Sequence, residues 1–123
     1  MRRWIRESEE MYLETILRLG QSKSAVRSVD VADELGYAKS SVSRGINLLK
    51  DKGYISVNAA TGAISFTQEG RRRAEAVYER HRILTAAHIK LGGGRALAEE
   101  DACRIEHVVS GELMEILKKF VEE

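Results

Sequence analysis

The apolar pattern of this chain changes period twice. Up to Gly53, apolar residues recur every three or four positions. YISVN and AISFT then alternate apolar with polar, and from Thr67 onward the helical spacing returns. A short period-two stretch set between period-3.6 stretches admits few folds: helices, one two-stranded hairpin, then more helices. Residues 5–20 read as an amphipathic helix with Met11, Leu13, Ile16, Leu17 and, more weakly, Tyr12 at its apolar positions, stopped at Gly20. Residues 28–35 read as a short helix with Ser28 as its N-cap and Gly36 after its last apolar residue. Residues 39–52 form a third, ending at Gly53, whose buried stripe is Val42, Ile46 and Leu49. Asn58 to Gly62 is turn-like and joins the two alternating runs as a hairpin. Thr67 opens a long helix, with Glu69 near its start, that runs to about Leu91 and is broken by Gly92, Gly93 and Gly94. Residues 96–109 and about 111–122 read as two more helices, separated or merely bent at Gly111.

Helix, short helix, turn, helix and hairpin in that order is the winged form of the helix-turn-helix. The expected architecture is therefore mainly α, with a winged helix-turn-helix DNA-binding domain over 1–73 and a C-terminal helical domain over 74–123. Ala32 is small where the two helices would cross, and Gly36 allows a sharp turn. Lys39, Ser40, Ser41 and Ser43 surround the start of the second of those helices, where free backbone N–H groups suit phosphate oxygens. Arg44 has the reach and the fork for a guanine edge, Asn47 is an amide nearby, and Lys50 (with Lys52) suits backbone phosphates. The plainer alternative is that the serines cap the helix and the basic residues are a solvated face. Arg71, Arg72 and Arg73 would brace the wing on phosphates or decorate a helix. Charge supports an anionic partner for the front part: residues 1–73 hold 13 Lys/Arg against 9 Asp/Glu, whereas residues 74–123 hold 7 against 10.

With 43% hydrophobic and 32% charged residues, the 123-residue chain has the composition of a globular protein. The absence of a long apolar run, of a signal-peptide pattern and of a second cysteine points to the cytoplasm and away from a membrane or a disulfide framework. That single cysteine lies in DACRIEHVVS. On a helix continuing through this stretch, Glu99, Cys103, Glu106, His107 and Ser110 share one stripe, and Ala102, Ile105, Val109 and Leu113 share another. A second polar stripe, Tyr78, His81, Thr85 and His88, lies on the long helix, and Met11 and Glu14 are i, i+3 neighbours on the first. Thiol, carboxylate and imidazole together suit a metal. A Cys–His nucleophile would need an orienting group and an oxyanion site, which no nearby motif supplies. A polar surface without either role is the third reading.

SEEMYLETIL and DACRIEHVVS resemble the first helix and the metal-binding helix of the diphtheria toxin repressor family of metal-activated regulators. YERHRILTA resembles that family's helix with a further ligand histidine, and VADEL with SSVSRGINLLKDKGYI its DNA-reading unit. The resemblance implies a homodimer whose back helices pair, a double-stranded DNA operator as partner, metal sites between the two modules, and no small organic substrate. Carried over by position, Met11, Cys103, Glu106 and His107 match the iron-type primary site, and Glu14 and His81 match ligand positions of the manganese branch. The iron-type ancillary site has an acidic residue where this chain has Thr85 and a histidine where it has Glu99, so the resemblance implies either no such site or one rebuilt from Glu14, His81 and Glu99. Met and Cys are softer ligands than the manganese branch's carboxylates, so the expected cofactor is a divalent metal, Fe2+ first and Mn2+ second, with Zn2+ or Co2+ able to occupy the site in vitro. The competing expectation is a metal-independent winged-helix regulator that senses redox state or a small ligand through Cys103.

Overall fold

The computed structural model describes the backbone of residues 2–123 and the side chains of residues 8–123. The elements run α1 (Arg2–Gly20), α2 (Ser28–Leu35), α3 (Lys39–Asp51), β1 (Ile55–Val57), β2 (Ile64–Phe66), α4 (Gln68–Lys90), α5 (Arg95–Ile105) and α6 (Gly111–Glu122). They divide into two compact units, Met1–Glu75 and Ala76–Glu123.

The first unit is a winged helix-turn-helix. Its core is Leu13 and Ile16 of α1, Val31 and Ala32 of α2, Val42, Ile46 and Leu49 of α3, and Ile55 and Ile64 of the wing. Each of the Val, Leu and Ile side chains contributes about 1.5–3 kcal/mol by leaving water. The turn between α2 and α3 depends on Gly36, whose φ of 69° is left-handed, and the N–H groups of Gly36 and Tyr37 both donate to the Ala32 carbonyl. The strands pair antiparallel with Ile55 opposite Phe66, Ser56 opposite Ser65 and Val57 opposite Ile64. At the tip, the Asn58 side-chain oxygen accepts from the N–H groups of Ala60 and Thr61.

The passage from wing to α4 is fixed by Thr67. Its hydroxyl donates to the Gly53 carbonyl at 2.6 Å, and its oxygen accepts the Gly70 N–H at 3.1 Å, the bond of an N-cap residue. Gly70 has no room for a side chain, because a Cβ there would lie 1.8 Å from the Tyr54 carbonyl oxygen. Arg73 is an internal brace. It donates to the Tyr54 hydroxyl at 2.7 Å and to Glu9 at 3.1 Å, and its guanidinium lies over the Tyr54 ring. Arg71 covers Phe66, and Arg72 pairs with Glu69.

Two local expectations are corrected. Arg27, not Ser28, occupies the N-cap of α2, and its N–H is taken by the Asp30 carboxylate at 2.9 Å. The acidic residue at the third helical position thus reaches back to the N-cap N–H, one half of a capping box. The stretch 96–109 is not one helix either. Glu106 still donates its N–H to the Ala102 carbonyl, but the chain then leaves the helical path, and Ser110 starts α6 by accepting the Leu113 N–H at 3.1 Å. Gly111 thus opens a new helix. The second unit packs Leu84, Ala102 and Met114 together, with Ile83, Val109 and Leu117 against them. Of the expected apolar stripe, Ala102 is buried, whereas Ile105 and Leu113 are exposed, because the helix breaks after Ile105 and the stripe loses its common face.

Replacing Gly70 by Ala forces the α4 start away from Tyr54 and should lower unfolding free energy by about 1–3 kcal/mol. A shift of the urea midpoint checks this.

Candidate metal centre and nucleic-acid interface

Glu106 is wholly buried, at 0% exposure, and its carboxylate lies between two histidines. His81 Nδ1 is 2.9 Å from Glu106 Oε2, and His107 Nε2 is 3.3 Å from Glu106 Oε1. Cys103 Sγ is 3.9 Å from the same His81 nitrogen. Four candidate ligands therefore form one continuous set of N, O and S donors within the second unit. His81 and His107 are buried, while Cys103 stands at the exposed edge. Isolating a carboxylate from water is costly unless cationic or hydrogen-bonding groups surround it. Here the groups that do so are themselves metal-ligand types.

The local fold explains the set. His81 lies mid-way along α4, and the Tyr78 ring stacks on it with a centroid distance of 6.4 Å. Cys103 is on the last turn of α5. Glu106 and His107 lie just past its end, so they are turn residues rather than members of one helical stripe with Glu99 and Ser110, as a continuous helix would have made them. Glu99 is exposed and pairs with Arg95 at 3.6 Å. Thr85 is buried, and its hydroxyl oxygen finds no hydrogen-bond partner among the described residues. His88 faces Asp101 at 3.9 Å. In the first unit, Glu14 is buried and Met11 half-buried on α1, and the Met11 sulfur is 3.7 Å from the Tyr37 hydroxyl.

Sequence reasoning missed Arg80. Its guanidinium donates to the Glu106 carbonyl at 2.9 Å and the Val109 carbonyl at 3.2 Å. Its place beside His81 was the only signal, and surface helices are full of arginines.

The DNA candidates line one face of α3. Lys39, Ser40, Ser43, Arg44, Asn47 and Lys50 are exposed, and Ser41 is half-buried. The N-cap of α3 is Ala38, with no side-chain cap bond, so the serines do not cap this helix. Its first N–H groups remain available for an anion, which the helix dipole also favours. Arg44 rests on Ser41 at 3.5 Å. Behind this face, Gly45 lets α3 lie flush on the Tyr12 ring, where a Cβ would come within 2.4 Å of it. Burial, and then the neighbouring Tyr37, push the Tyr12 hydroxyl above its ordinary pKa, with Arg44 opposing, so it stays a neutral phenol around pH 7.

Comparison with known proteins bears on both halves. Residues 5–63 match the iron dependent repressor N-terminal DNA binding domain, and residues 67–123 match the iron dependent repressor metal binding and dimerisation domain. The chain is 30% identical over 118 residues to the transcriptional regulator MntR of Escherichia coli, covering 96% of this chain and 76% of that protein. It is 28% identical to the diphtheria toxin repressor of Corynebacterium diphtheriae, covering 95% of this chain and 52% of that protein. A solved manganese-dependent transcriptional repressor in complex with manganese superposes with a TM-score of 0.85 at 28% identity, over 93% of this chain and 52% of that one. This chain thus spans about half the length of that solved relative.

Because Cys103 is exposed, a maleimide should label it in the folded, metal-free protein to one equivalent, as read by intact mass. Labelling only after denaturation would contradict the placement.

Proposed function

This chain belongs to the iron-dependent repressor family, which makes it a metal-activated, DNA-binding repressor of metal homeostasis acting as a homodimer, and we propose which of its residues carry the metal and the operator. Members of this family are transcriptional regulators. The observation that carries the proposal is the buried Glu106 carboxylate between His81 and His107, with Cys103 within 3.9 Å of His81. That donor set fits a divalent transition-metal ion. We assign His81, Cys103, Glu106 and His107 as ligands from the second unit, with Met11 and Glu14 of α1 completing the set. Glu99, the seventh candidate, would have to leave its surface ion pair with Arg95 to join them.

When bound, the ion would supply positive charge to the buried Glu106 carboxylate. Glu106 and Glu14 hold it as anions, His81 and His107 through neutral nitrogen lone pairs, and Cys103 as thiolate. Each of these must be free of its competing proton, so affinity rises with pH. Ligands drawn from both α1 and the second unit restrict how the DNA-reading unit is presented to an operator. Metal and DNA then favour the same state and are reciprocally linked. We propose Fe2+ as the preferred ion and Mn2+ as the second, because the Met11 thioether and Cys103 thiolate are soft donors; Zn2+ and Co2+ suit the same donors in vitro. On α3, we assign Arg44 and Asn47 to base edges, and Lys39, Ser40, Ser41, Ser43 and Lys50 to phosphates and sugar.

Operator affinity measured with and without Fe2+ or Mn2+ should differ by at least tenfold, and Glu106→Gln or His107→Ala should remove that difference. Equal affinity with and without metal would sink the assignment. Arg44→Ala should cost about 1–3 kcal/mol and relax the preference at one base position, whereas Lys50→Ala should weaken all sequences alike and lower the salt slope by about one. Titration across salt concentrations on operator and scrambled duplexes separates the two.

A further inference from the structure

We infer that Arg80 is a positioning residue of the metal centre: it sets the conformation of the Glu106–Val109 turn, and thereby the aim of Glu106 and His107. The inference rests on the assignment of those two residues as ligands. Because α5 ends at Ile105, Glu106 and His107 are not held by a continuing helix. The turn keeps three backbone bonds of its own, from Glu106 N–H to the Ala102 carbonyl and from the Val108 and Val109 N–H groups to the Ile105 carbonyl. The carbonyls of Glu106 and Val109, at its two ends, accept from Arg80 instead, at 2.9 Å from Nη1 and 3.2 Å from Nη2. One planar guanidinium thus fixes the spacing between the residue that carries the buried carboxylate and the residue just before Ser110, the N-cap of α6.

The location of Arg80 strengthens the argument. It precedes His81 on α4, so the helix that presents one ligand also anchors the turn that presents two more. Its side chain is half-buried, and charged donors in such a place make strong, directional bonds to carbonyl oxygens. Lysine retains the charge but not the fork, and cannot reproduce two parallel donors at fixed separation.

The test uses the full chain with Arg80→Gln and Arg80→Lys. In the metal-free protein, amide hydrogen exchange at Val108 and Val109 should quicken about tenfold or more in Arg80→Gln, because local opening sets the rate and a charged hydrogen-bond donor to the turn is lost. Protection at Leu84 in α4 should stay as in the parent, which reports that the unit is folded. Co2+ affinity should fall about 10–100-fold, the range found when groups that orient metal ligands are lost. The Co2+ ligand-field absorption at saturation should also change shape. Arg80→Lys should lie between parent and Arg80→Gln in both exchange and affinity. Unchanged Co2+ affinity in Arg80→Gln overturns the inference, as does lost affinity with unchanged exchange in the turn, or complete rescue by lysine, which would make the effect one of charge alone. Loss of protection at Leu84 in both variants would also overturn it, by making Arg80 a general folding residue. Glu106→Gln and His107→Ala measured alongside keep the failures apart. If they bind Co2+ like the parent, the ligand assignment fails. If they do not and Arg80→Gln does, only the role of Arg80 fails.

Discussion

A carboxylate with no access to water organises the second unit. Glu106 is buried completely, and no fold tolerates that unless the neighbours supply protons, positive charge or a cation. His81 and His107 meet it on either side, Arg80 holds its backbone, and Cys103 stands at the edge. They come from three local settings: His81 and Arg80 from the middle of α4, His107 from the turn, and Cys103 from the end of α5. Any rearrangement of α4 against the α5–α6 turn would disturb the carboxylate first. That sensitivity is what a sensor requires.

The first unit solves a different problem with different means. Its hydrophobic core is aliphatic, and its joints are fixed by Gly36 between α2 and α3, Thr67 between wing and α4, and Arg73 tying α4 to Glu9 and Tyr54. What remains outside is a helix start without a side-chain cap, flanked by serines and basic residues. A cap would have stabilised α3 in isolation by occupying N–H groups that otherwise suit an anion.

Much of this was legible in the sequence where the determinant is local. Val42, Ile46 and Leu49 fall at helical spacing and are buried, and the alternation on either side of Asn58 produces the hairpin, although each strand keeps only three residues. The Gly36 turn follows from one residue. The end of α5 was not legible, because it depends on Arg80, 26 residues from Glu106 along the chain, and on Ser110 capping a new helix. The same break moves Glu106 and His107 out of line with Glu99, which turns instead to Arg95. Ser28 misled for a similar reason: the helix entry is set at Arg27, whose N–H the Asp30 carboxylate takes from inside the helix.

The second unit leaves Leu97, Ile105, Val108, Leu113 and Ile116 exposed in the single chain. In a protein that works as a pair, such residues make folding and association parts of one equilibrium. The stability of each copy then rises with the number of copies in the cell. A regulator of this kind carries its own abundance as an input, alongside the ion it reads.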